Sequence, residues 1–70
     1  MEYVIRLSWD PEANVWIGVN DYIPLTLESG SLDHLMQRVK EALPELLELN
    51  GLPKPGYLYF IAEYREEVSA

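Results

Sequence analysis

Residues 2–9, EYVIRLSW, alternate strictly. Tyr3, Ile5, Leu7 and Trp9 fall on one face, and Glu2, Val4, Arg6 and Ser8 on the other. Period-two alternation of β-formers predicts a strand with one buried face. The run Asp10-Pro11-Glu12-Ala13-Asn14 breaks the pattern. Pro11 fixes φ for a turn, and the Asp10 carboxylate can accept from the backbone two residues on, so a hairpin loop of about five residues is expected. The return strand covers residues 15–20, with Val15, Ile17 and Val19 on one face and Trp16 and Gly18 on the other. A glycine inside a strand predicts a bulge or a close backbone neighbour. Pro24 cannot donate to a ladder, so residues 25–28 read as a short third strand at a sheet edge.

A change of period marks the helix. Leu32, Leu35, Met36, Val39, Ala42, Leu43, Leu46 and Leu47 form one apolar stripe of period 3.6. Gln37, Lys40, Glu41, Glu45 and Glu48 lie opposite. Ser31 is the expected N-cap, with Asp33 in the first turn where the helix dipole favours an anion. Pro44 removes the bond to the Lys40 carbonyl, so a kink, or a break and restart, is expected near Leu43. Asn50-Gly51, followed by Pro53, is a stop signal. Residues 57–64 predict a last strand, with Tyr57, Tyr59, Ile61 and Glu63 alternating against Leu58, Phe60, Ala62 and Tyr64. Residues 65–70 read as a frayed tail. The expected fold is therefore α+β: a single domain over residues 1–70, two layers in the order βββαβ, with an antiparallel sheet and one helix on one face. One helix leaves the other face uncovered, and Trp16, Tyr57 and Tyr59 are expected there, under a second subunit or a partner.

Composition narrows the possible functions. The chain has 70 residues and no cysteine, which removes disulfides and thiol chemistry. A domain this small buries only about 62% of its unfolded surface, so its core is thin and a homo-oligomer is expected. Five Lys+Arg against twelve Asp+Glu give a formal charge of −7, which argues against a nucleic-acid partner. No apolar run approaches a membrane span and no basic-then-apolar leader opens the chain, so a cytoplasmic protein without a membrane partner is expected.

Candidate chemistry is sparse. His34, the one histidine, sits in the first helical turn without an orienting carboxylate at helical spacing, and reads as a solvated side chain. Asp10, Glu12 and Asn14 alternate as calcium ligands do at the start of an EF-hand loop. Val15 then stands where that loop needs Gly and Asp21 where it needs Glu, so a turn with solvated carboxylates is expected. Glu41, Glu45 and Glu48 share a helix face, but paired-carboxylate catalysis needs a cleft that so small a chain has little room to build. No phosphate-binding glycine pattern occurs. The tryptophans and tyrosines lack the basic groove of a single-strand platform and fit core or subunit-interface roles better. The expectation is a protein that is not an enzyme and holds no cofactor or metal.

The stretch Tyr3-Val4-Ile5-Arg6 with Trp9-Asp10-Pro11-Glu12-Ala13-Asn14-Val15-Trp16 resembles the first hairpin of HicB-like antitoxin domains. It is closest to the short, uncharacterised bacterial family allied to them. Asp21-Tyr22-Ile23-Pro24-Leu25 with Glu28, and Ser31-Leu32-Asp33-His34-Leu35, fit the segment leading into the helix of those proteins. Pro44-Glu45-Leu46-Leu47-Glu48-Leu49-Asn50-Gly51 matches the helix end of the short family. The resemblance spans essentially the whole chain. It implies an antitoxin module of partial double-stranded-RNA-binding type that masks a small basic HicA-type toxin ribonuclease, and the acidic balance is compatible with such a partner. Two departures stand out: Leu25 follows Pro24 where HicB proteins commonly carry Gly, and only residues 65–70 follow the last strand, too few for an operator-binding domain. Partner contact is expected through Asp10, Glu12, Asn14 and Trp16 around the hairpin, or through Glu41, Glu45 and Glu48 on the helix. The competing reading is an orphan module that self-associates through its sheet and has no toxin.

Overall fold

A computed structural model of the chain describes residues 2–69. Strand β1 (Glu2–Asp10) turns through a tight loop into β2 (Val15–Val19), and β3 (Thr26–Ser29) follows after a longer loop. Helix α1 (Leu32–Leu49) then crosses the sheet, and β4 (Tyr57–Glu63) completes it. The strand order is β3-β2-β1-β4. This is the two-layer α+β, βββαβ arrangement the alternation patterns predict, with one correction: the sheet is mixed. β1 pairs β2 and β2 pairs β3 antiparallel, whereas β4 pairs β1 parallel. The reason is directional. Each element reverses the one before it, so β1, β3 and β4 all run the same way, and β4 joins the sheet beside β1.

The covered face is the one β1 announces. Tyr3, Ile5 and Leu7 are buried, and with Leu35, Val39, Leu43 and Leu47 of α1 they form the core. Ile23 and Leu25, on either side of Pro24, are also buried and plug the core from the β2–β3 loop. Asn20 shapes that loop. Its Oδ1 accepts from the Tyr22 and Ile23 amides, and its Nδ2 donates to the Val4 carbonyl as β2 leaves the ladder. The strand therefore stops at Val19, one residue short of the expected end, because the Asn20 side chain replaces the ladder bond.

Gly18 shows no bulge. The β1–β2 register is continuous from Arg6↔Val19 to Asp10↔Val15. A Cβ at Gly18 would instead lie 3.1 Å from Leu7 Cδ2 and 3.5 Å from Leu35 Cδ2. The glycine is there to admit the helix, so the close neighbours are side chains.

Ser31 caps α1 as expected, accepting from the His34 amide with extended backbone at φ −118° and ψ 130°. Of the two outcomes expected at Pro44, a kink or a break and restart, the break does not occur: the helix is continuous from Leu32 to Leu49. Leu43 and Leu47 on either side are buried in the core, while Pro44 itself is exposed. Burial of the stripe offsets a lost bond on the solvent side. At the other end Gly51 adopts φ +63°. The Gly51 amide donates to Glu48 and the Leu52 amide to Leu47, which is a complete Schellman stop. The Tyr3 hydroxyl donates to the Pro53 carbonyl at 2.7 Å and ties the following loop to β1.

Candidate functional site

The hairpin tip positions the first group of predicted contact residues. Asp10 Oδ1 accepts from the amides of Glu12 and Ala13, closing an Asx-type turn of four loop residues, Pro11 to Asn14. Asn14 takes φ +55°, a left-handed conformation that asparagine tolerates well. Asp10 thus acts as a loop staple, leaving Glu12 and Asn14 exposed at the tip.

Trp16 is not on the open face. It stands opposite Trp9 on the helix side of the sheet, and the two rings meet edge to face with centroids 5.6 Å apart. Tyr64, the residue after β4, packs against both at 6.4 and 6.0 Å. Gly18 decides this placement. It shares the alternate face with Trp16, and its missing side chain makes room for Leu35, so that face turns toward α1.

The carboxylates Glu41, Glu45 and Glu48 lie on the exposed side of α1, in its second half. The helix runs away from the hairpin end, so these two predicted groups sit toward opposite ends of the molecule and do not form one surface. Glu41 accepts from Gln37 Nε2 at 3.1 Å. Glu45 and Glu48 enter no ion pair among the described residues, and the last turn of α1 carries no cation. Carboxylates near a helix C-terminus add to the negative end of the dipole. Pro24, Leu27, Ala42, Leu46 and Leu49 line an open groove of about 380 Å³ between α1 and β3, with Glu45 at its margin. Leu49 is 75% exposed there. Nothing in the apolar periodicity marks this groove, because it forms only when the Pro24 loop meets the helix. The one available signal was Leu49, an apolar residue outside the core stripe.

The open face carries a third feature. Tyr57, Tyr59 and Ile61 of β4 are 76%, 54% and 37% exposed, with Val4 beside Tyr59. Tyr57 and Tyr59 are on the face where the alternation put them. Arg6 sits between Val19 and Ile61 in register and pairs with Asp21, an exposed contact that adds little stability. His34 is exposed, with Nδ1 3.1 Å from the Ser29 hydroxyl. Among the described residues no group of three or more His, Cys, Asp or Glu side chains is placed to hold a metal ion. Among the described residues no helix is long and apolar enough to cross a membrane.

These features define a small two-layer α+β domain with one helix-covered and one open sheet face. Residues 2–69 match the family described as a domain of unknown function, DUF1902, and the chain belongs to that family. Among solved structures it is similar to the hypothetical protein TTHA1013 from the extremely thermophilic bacterium Thermus thermophilus. The TM-score is 0.76 at 28% identity, with 100% of both chains covered. No curated protein matches the chain.

Proposed function

We propose that this protein is a non-enzymatic, HicB-like binding protein that masks a small basic toxin ribonuclease, docking it on the groove between α1 and β3. The observation that carries this reading is the composition of that groove. An apolar centre of Pro24, Leu27, Leu46 and Leu49 lies beside Glu45. An apolar core with a charged margin is the usual make-up of a protein–protein contact. A formal charge of −7 favours encounter with a basic partner and repels RNA. The resemblance of the sequence to HicB-like domains supports a HicA-type partner. The hairpin tip supports the reading less well, because the Asp10 carboxylate is already engaged by its own loop.

The test is co-expression with the neighbouring open reading frame, then co-purification and an RNA-cleavage assay with and without this chain. A small basic protein should co-purify and cleave RNA only once this chain is removed. The variant Glu45→Lys should weaken the complex at least about tenfold, a loss of roughly 1.4 kcal/mol. Absence of any small basic partner, or indifference to the charge reversal, contradicts the reading. A second reading, self-association without a toxin, is favoured by the exposure of Tyr57 and Tyr59 on the open face.

A further inference from the structure

The two edges of the sheet are treated differently. β3 has four residues, Pro24 stands just before it, Glu28 is charged, and the Arg38 guanidinium donates to the Glu28 carbonyl. Short length, nearby proline, charge and a covered backbone group are the devices by which proteins stop an edge from recruiting another strand. β4 shares two of them, since Pro55 stands before it as Pro24 stands before β3 and it carries one charge, but it is longer and its outer backbone is uncovered. It has seven residues, an edge of about 23 Å, without proline or a basic residue. Glu63, at its end, is its one charged residue. Among the described residues no side chain bonds its backbone. The residue after it does not fold over this edge either, since Tyr64 packs inward on Trp9 and Trp16.

We propose that two copies of this chain pair antiparallel through β4, about a twofold axis at Phe60, to make one continuous sheet. This rests on the self-association reading above and deepens it; it does not need a toxin.

The sequence of β4 is complementary to its own reverse. In this register Phe60 faces Phe60 of the second copy, Tyr59 faces Ile61, Leu58 faces Ala62, and Tyr57 faces Glu63. Aromatic and β-branched side chains directly opposite each other are favourable cross-strand pairs. The charges agree as well. Two chains of −7 repel over most of their surface, and β4 is a nearly neutral strip where that repulsion is least. The twofold also sets each Glu63 beside a tyrosine, away from its counterpart. The contact is isologous and closes at two chains, since the protected β3 edges end the sheet. It lies at the opposite edge from the α1–β3 groove and leaves both grooves open.

The chain has no cysteine, so introduced thiols report the register cleanly. Sedimentation equilibrium of the wild-type chain from tens to hundreds of micromolar should give the mass of two chains. Single variants Tyr59→Cys and Ile61→Cys, both at exposed positions, should retain the wild-type circular dichroism. Oxidised as an equal mixture, they should form disulfide-linked dimers at least about tenfold more than either alone. Opposed residues in an antiparallel pair lie within disulfide reach, whereas two copies of the same position, other than Phe60, do not. A monomer at all concentrations overturns self-association itself. A dimer in which the mixture cross-links no better than each variant alone overturns the β4 register. Efficient self-linking of Val19→Cys, on the open face of β2, would stack two open faces and overturn the edge.

Discussion

The two faces of the sheet are made by alternate residues of the same strands, yet they have opposite consequences. On the covered face Tyr3, Ile5 and Leu7 meet Leu35, Val39, Leu43 and Leu47, and Gly18 gives up its side chain so that the helix can approach. On the open face Val4, Tyr57, Tyr59 and Ile61 are no less apolar but remain 37% exposed or more. Apolar character alone therefore does not make a core; a complementary layer does. In a domain with one helix, the uncovered apolar side chains are free to serve association.

That comparison can be broken most easily from the covered side. Leu35→Ala should destabilise by about 2–5 kcal/mol. A chain of this size has roughly 3.5–10 kcal/mol in all, so thermal denaturation should find it largely unfolded at 37 °C or close to it. Gly18→Val should cost about 1–3 kcal/mol by overpacking, seen as a drop in denaturation midpoint in urea. Each branch of the valine would crowd Leu7 or Leu35 further than the Cβ at 3.1 Å already does.

Pro44→Ala works in the other direction. Restoring the amide to the Lys40 carbonyl on an exposed helix face should raise stability by roughly 1–2 kcal/mol, since alanine is the better helix residue by about 3 kcal/mol and the native helix has already relaxed around proline. For a domain of this size that is about 4–8 °C per kcal/mol in melting temperature. An unchanged melting temperature would mean that the helix loses nothing by carrying Pro44. The smallest effect belongs to the open face. Tyr59→Ser should alter the unfolding free energy of the dilute chain by less than about 0.5 kcal/mol, measured by chemical denaturation. A loss as large as that of Leu35→Ala would place Tyr59 in the core and remove the distinction between the faces.

How far the sequence foretold this architecture differs from element to element. The β1 alternation and the α1 stripe named most of the core, because in both only one register hides the apolar set. Ser31 and Asn50-Gly51 marked both helix ends correctly, since capping is decided within a few residues. β2 and β4 are ambiguous because both of their alternate faces contain apolar residues, and so the pattern alone puts Trp16 on the wrong side. The clue was Gly18, whose lack of a side chain signals a close-packed helix rather than a bulge. The parallel pairing of β4 with β1 depends on which strand edge remains free, which no local pattern encodes. The α1–β3 groove joins residues as distant as Pro24 and Leu49, and was invisible for the same reason. At Pro44 the local rule leaves a kink or a break open, and the helix runs on without a break because the tertiary burial of Leu43 and Leu47 outweighs the lost bond.

The most direct measurement is residue-resolved amide hydrogen exchange on the wild-type chain, compared between a dilute and a concentrated sample. Amides of β4 that point away from β1 should exchange severalfold more slowly at high concentration, while amides at the β3 edge stay unchanged. Equal exchange of both edges at every concentration would contradict the account, because the β4 edge would then be no more committed to association than the β3 edge.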